Sequence, residues 1–200
     1  MAVGTRWPSS GGAESRLRSA GRGQAAITLT ATEVGGDVLL TGSGTANLAG
    51  LTLLNTTFDS SAIFPSLPYA TTGSAVSVPS VFYAALSGPA NFGPGGFRVA
   101  TSGTGDVFGV NLNVLVAPVG YTSGTPLSGS STFASATFAS LGMTPGTYVW
   151  TWGAGANADS LTLQIGPAAP TAAIPEPGTL ALLLVGTLTT GAGFMRRRRS

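Results

Sequence analysis

Between residues 27 and 165 apolar and polar residues alternate at period two in several short runs, Gly and Pro interrupt the chain at short intervals, and no helical period is found before residue 179. Such a chain can fold only as strands, because a period of two puts every second side chain on one face of a pleated ribbon. Ile27, Leu29 and Ala31 alternate with Thr28, Thr30 and Thr32; Gly35-Gly36 then offers two positions free to take positive φ, as a two-residue hairpin turn requires, before Asp37-Val38-Leu39-Leu40-Thr41. Leu51–Leu54 fits either a strand or one helical turn. Ala75–Leu86 reads as an extended segment that Pro79 confines to an edge or a bulge, since proline has no N–H for the ladder. Phe97–Thr101 and Asp106–Ala117 read as two strands bridged by Ser102-Gly103-Thr104-Gly105, with Val110, Leu112, Val114 and Val116 facing a core. Ser131–Ala139 reads as a strand with no strongly apolar face. Thr147–Trp152 carries Tyr148, Trp150 and Trp152 on one side, and Gly153–Ala158 joins it as a hairpin to a last strand bearing Leu161, Leu163 and Ile165. The fold class expected is all-β: an antiparallel β-sandwich of about eight strands, followed by one C-terminal transmembrane helix.

Charge divides the chain into parts. Residues 1–24 carry Arg6, Arg16, Arg18 and Arg22 among Gly and Ser with no sustained apolar run, and are expected to be disordered or a misassigned leader. The body, residues 25–166, holds Glu33, Asp37, Asp59, Asp106 and Asp159 against Arg98 alone, a balance of −4. Neutralising phosphates needs several cations on the folded domain, so no nucleic-acid partner is expected. Hydrophobic residues make up 43% of the whole chain, more than a solvated disordered segment carries, so the body should fold even though the chain has 30 Gly and only 8% charged residues. A Pro/Ala linker, residues 167–174, leads into the tail.

The body has no His, Cys or Lys, which removes the common general base, the thiol nucleophile, the Schiff-base amine and the commonest metal ligand together. The expectation is that the chain is not an enzyme and takes no cofactor. Asp106 and Asp159, in Gly/Asn-rich loops, are the positions at which a carboxylate pair or calcium site could be built; turn-forming Asp bonded to backbone is the simpler reading. Gly103-Thr104-Gly105-Asp106 lacks the strand-to-helix context of a phosphate loop. The row Tyr148, Trp150, Trp152 offers possible glycan stacking if exposed and core packing if buried, and exopolysaccharide is the corresponding candidate partner.

The C-terminus carries a different kind of information. Between Glu176 and Arg196 lie 19 residues without charge, which as a helix would cover about 28 Å of hydrocarbon. Pro175 stands before it and Pro177 is its first residue, so a helix would begin just after Pro177, and Arg196, Arg197, Arg198 and Arg199 close it. Carrying four arginines through a bilayer costs far more than leaving them in the cytoplasm, so residues 179–195 should span with the body outside.

A Pro-Glu-Pro signature, a short transmembrane helix and a terminal Arg cluster, in that order, resemble the PEP-CTERM sorting domain of bacterial envelope proteins. The resemblance covers residues 174–200, with Gly178 where the family usually has Ser. It implies that Pro175, Glu176, Pro177 and Arg196–Arg199 form a sorting signal read by exosortase, a membrane-embedded cysteine transpeptidase. It further implies an inner-membrane-inserted precursor and a product at the cell surface or in the extracellular matrix. A protein of this kind is exported, whereas residues 1–24 have no apolar core for a secretory leader. Three explanations compete: a misassigned start that replaced the leader, a transit-like or unconventional signal, and a non-functional relic; the first is favoured, with Gln24-Ala25-Ala26 as the remnant of a cleavage site.

Overall fold

The computed structural model describes residues 26–166. In chain order the strands are β1 (Ala26–Val34), β2 (Asp37–Gly44), β3 (Thr52–Asp59), β4 (Ala62–Phe64), β5 (Tyr69–Thr72), β6 (Val78–Ala84), β7 (Arg98–Val99), β8 (Ser102–Gly105), β9 (Phe108–Asn111), β10 (Val114–Pro118), β11 (Leu127–Phe133), β12 (Gly146–Trp152) and β13 (Asp159–Ile165). A one-turn helix, α1 (Phe138–Leu141), precedes β12. The body is all-β. The strands form a six-stranded sheet, β12-β13-β1-β2-β11-β8, and a seven-stranded sheet, β3-β6-β10-β9-β5-β4-β7.

The β1–β2 hairpin forms as its sequence requires: Gly35 and Gly36 take φ of +62° and +92°, and Val34 pairs with Asp37. The β12–β13 hairpin forms as well, its loop containing a short 3-10 turn at Gly155–Asn157. The inner face of the six-stranded sheet places Ile27, Leu29, Leu40, Phe133, Leu161 and Leu163 against Ala70, Phe108, Val110 and Leu115 of the other sheet in one core. Gly42 marks how closely the layers meet: a Cβ there would lie 2.6 Å from Thr72 Cγ2 and 2.7 Å from both Leu29 Cδ2 and Phe108 Cζ.

Several expectations need correction. The body has thirteen strands rather than about eight. One pair is parallel, because β1 lies between β2 and β13 and runs alongside β13 from Ala26↔Ser160 to Ala31↔Ile165. Leu51–Leu54 resolves toward strand, contributing the start of β3. Pro79 lies on neither an edge strand nor a bulge: β6 is flanked by β3 and β10, but the β6–β10 ladder ends at Ser80↔Pro118, so only β3 faces the proline. The bulge falls instead on β3, between Leu53 and Asn55.

Asp106–Ala117 is two strands, not one. Leu112 and Asn113 adopt φ of +53° and +63° and turn the chain back, so that Val114 pairs with Asn111; Leu112 is exposed, while Val110 and Val116 are buried. Ser102–Gly105 is itself a strand and belongs to the other sheet, paired with β11. Ser131–Ala139 breaks after Phe133, where Ser135 takes a φ of +52°, and ends in α1. That helix is one turn long, too short to show a period, and is set by a capping box in which Thr137 Oγ1 accepts from Ser140 N and Ser140 Oγ accepts from Thr137 N.

The seven-stranded sheet is rolled. Only Ser60 and Ser61 separate β3 from β4, a step that reaches about 10 Å. Five strand spacings, about 24 Å in a flat sheet, separate the same two strands in the sheet order. Curling brings the end of β3 onto β5, where Tyr69 Oη donates to Asp59 Oδ1 at 2.7 Å. The crossing is tied by buried hydroxyls: Ser61 Oγ donates to the Thr71 carbonyl at 2.8 Å and Thr71 Oγ1 to the Ser60 carbonyl at 2.9 Å.

Candidate functional site

The aromatic row faces inward. Trp150 is fully buried, Trp152 is 3% exposed and Tyr148 is half-buried against the same core, with its ring 6.0 Å from that of Phe92. Trp150 Nε1 donates to Asn113 Oδ1 at 3.1 Å, bridging the six-stranded sheet to the β9–β10 turn, and Trp152 Nε1 donates to the Asn47 carbonyl at 2.7 Å. The glycan-stacking reading of Tyr148, Trp150 and Trp152 is thereby corrected: these rings fasten the layers. Burial follows from register, since the outward positions between them hold the smaller Val149 and Thr151.

Each of the five body carboxylates accepts a backbone N–H. Glu33 Oε1 accepts from Phe138, the first residue of α1; Asp37 Oδ1 from Ser135 at 2.8 Å; Asp106 Oδ2 from Ser128 at 3.1 Å. Asp159 accepts from Asn47 through Oδ2 and from Ser160 through Oδ1, each at 2.6 Å. Asp59 Oδ1 accepts from Ser60 at 2.8 Å as well as from Tyr69. Asp106 and Asp159 thus fasten loops, several of these bonds reaching far along the chain. No group of three or more His, Cys, Asp or Glu that could hold a metal ion occurs among the described residues.

Asp59 and Asp159 are the perturbed acids. Burial raises both above the ordinary carboxyl value; hydrogen bonds from Tyr69 and Ser60 to Asp59, and from Asn47 and Ser160 to Asp159, offset part of that rise. The Asn111 side chain also favours ionised Asp59, yet Asp59 Oδ2 is buried without a hydrogen-bond partner. Desolvation, then the neighbouring Asp59, likewise pushes the Tyr69 hydroxyl up.

A feature not foreseen lies on the outer face of the six-stranded sheet. Register sets Gln164, Thr30, Thr41, Ser130 and Thr104 in one row across five strands, and Thr162, Thr28, Ser43 and Ser128 in the next. Part of this face is a shallow concavity of about 370 Å³, lined by Thr28, Thr30, Thr41, Ser43, Thr104, Ser128 and Ser130 with Gly42, Gly105 and Gly129. Its lining is wholly uncharged. A Cβ on Gly129 would lie 2.6 Å from the Asp106 carbonyl, so glycine is what lets the sheet sit close at that point. The chemistry available is hydrogen bonding to a neutral, hydroxyl-rich surface. The alternation Thr28-x-Thr30 and Ser128-x-Ser130 was visible in the chain, but only strand register assembles it into rows.

Pro175, Glu176, Pro177, Arg196–Arg199, the span 179–195, the linker 167–174 and residues 1–24 lie outside the described residues. Among the described residues no helix is long and apolar enough to cross a membrane. Comparison with protein-family profiles, curated proteins and solved structures finds no match to this chain.

Proposed function

We propose that this chain is an exported bacterial envelope or extracellular-matrix protein, sorted through its C-terminus by exosortase, whose β body acts structurally or adhesively and not as an enzyme. The observation that carries the reading is the order Pro175-Glu176-Pro177, a charge-free run of helical-span length, and Arg196–Arg199. The prolines hold the chain extended beside the bilayer, where a membrane peptidase needs accessible backbone, and Glu176 keeps that segment out of hydrocarbon. The body supports a structural role, because its carboxylates are engaged in fastening loops. The test is the mass of the surface-associated protein in cells with and without exosortase. Shortening near residues 175–178 only when the enzyme is present is the expected result. Full-length chain ending at Ser200 in both would defeat the proposal, as would labelling of a Cys at position 200 from outside intact cells.

A second reading, a carbohydrate-binding surface module, draws support from the uncharged hydroxyl-lined concavity rather than from the tryptophans. Binding to a neutral polysaccharide that Thr41→Glu and Ser130→Glu abolish would favour it. Retention unchanged by both substitutions would remove it.

A further inference from the structure

The described body has four sheet edges, and three are blunted. β7 is two residues long and begins with Arg98. β8 is four residues, two of them Gly, and ends in Gly105 at φ +88°. β12 is crossed near its end by Ser87, which exchanges hydrogen bonds of 2.9 and 2.8 Å with Thr151. These are the ordinary means by which a protein keeps strand edges from pairing with other chains.

β3 is different. It is eight residues long, contains no Pro, Lys or Arg, and every residue before Asp59 is exposed, with Leu53, Leu54 and Phe58 at 57%, 55% and 67%. Its one irregularity, the extra residue at Leu54, leaves Asn55–Asp59 in regular register. A long edge that carries no charge before Asp59 and exposes Leu53, Leu54 and Phe58 presents unpaired N–H and C=O groups to any strand that can lie beside it.

The sequence of this edge suits a second copy of itself. In a two-fold antiparallel pair one residue opposes its own image, and opposed residues share a face. With Thr56 at the axis, Asn55 meets Thr57 and Phe58 meets Leu54 of the other copy, beside Leu53. Leu53, Thr56 and Phe58 already share one side of β3, since their β6 partners Tyr83, Val81 and Pro79 do. Asp59 is turned onto Tyr69, so no like charges are opposed.

We infer that β3 is a homotypic docking edge: two copies of this chain join antiparallel through Leu54–Phe58 about a two-fold axis at Thr56, merging their seven-stranded sheets. The inference is independent of the sorting reading, because it concerns the body alone and is tested on purified protein.

The chain contains no Cys, so Thr56→Cys introduces a single thiol. Directly opposed side chains have Cβ atoms about 4.5–5.5 Å apart, close enough for small adjustments to permit a disulfide. Purified full-length Thr56→Cys protein under mild oxidation should run as a dimer on non-reducing electrophoresis, well before Val149→Cys, whose thiol lies on exposed β12. Adding Phe58→Lys to the Thr56→Cys chain should abolish the fast linkage while circular dichroism stays unchanged. Linkage of Thr56→Cys no faster than that of Val149→Cys overturns the inference, as does fast linkage that survives a folded Phe58→Lys variant.

Discussion

The two sheets bury their strands differently. In the six-stranded sheet, β11 and β13 alternate strictly, with Leu127, Ser131 and Phe133 inward on the first and Leu161, Leu163 and Ile165 inward on the second, while Ser, Thr and Gln face out. In the seven-stranded sheet buried residues come in consecutive triplets, Ala70–Thr72, Phe108–Val110 and Leu115–Ala117. Rolling accounts for the triplets. Ala70, Val110 and Leu115 face the main core, whereas Thr71, Val116 and Ser80 line the inside of the curl with Asp59. A sheet with one wet face writes its fold as alternation; a sheet covered on both faces does not.

If the main core between the sheets dominates stability, the largest loss should come where the six-stranded sheet is fastened to the rolled one. Trp150→Ala should cost about 3–5 kcal/mol, as for other buried aromatics, leaving Asn113 Oδ1 without its donor. Denaturant melts measure it, and a loss under about 1 kcal/mol would mean that the site collapses without penalty. Gly42→Ala should come next, at about 1–3 kcal/mol, because the added methyl meets three side chains at once. A neutral result there would show that Phe108 and Thr72 can move aside and that the layers are less tightly fitted than Gly42 implies.

The rolled sheet carries the opposite kind of prediction, a gain. Burial raises Asp59 above its ordinary value of 3.8, so folding favours its protonated form. That contribution is complete below 3.8 and is lost as pH rises through the higher folded value. Asp59→Asn should therefore stabilise the body at neutral pH and match the parent at acid pH. Melting both proteins across that range tests the sign: a gain that persisted unchanged into acid would dissociate it from ionisation. The smallest effect concerns the β9–β10 turn. Leu112 sits at φ +53°, where a branched apolar side chain is disfavoured, and Leu112→Asn should add about 0.5–1 kcal/mol. A loss instead would mean that the exposed leucine makes a contact that outweighs its strain.

Residue type was a good guide where the chain meets water on one side. The Gly35-Gly36 turn and the inward rows of β1 and β13 follow from alternation and turn chemistry alone. It was a poor guide where tertiary closure intervened. Leu112-Asn113 announces a tight turn only by half, because Asn113 suits a positive φ and Leu112 does not, and nothing in Ser102–Gly105 announces a strand of the opposite sheet. The same division applies to the candidate site: Trp150 and Trp152 were singled out correctly as a row, but their burial depended on which side of the sheet the second layer covers.

The sequence by itself determined an all-β body, its first and last hairpins, its poverty in catalytic side chains and the succession of Pro-Glu-Pro, charge-free run and Arg cluster at residues 175–199. These are local properties, set by period, turn residues and charge. Only the tertiary structure decided that β1 runs parallel to β13, that the hydroxyls of five strands line up in rows, that Asp59 is enclosed beside Tyr69, and that β3 is left as the long open edge. Those outcomes depend on which strands become neighbours. Strand order is chosen by burying apolar area across the whole body, a sum to which residues far apart in the chain contribute together.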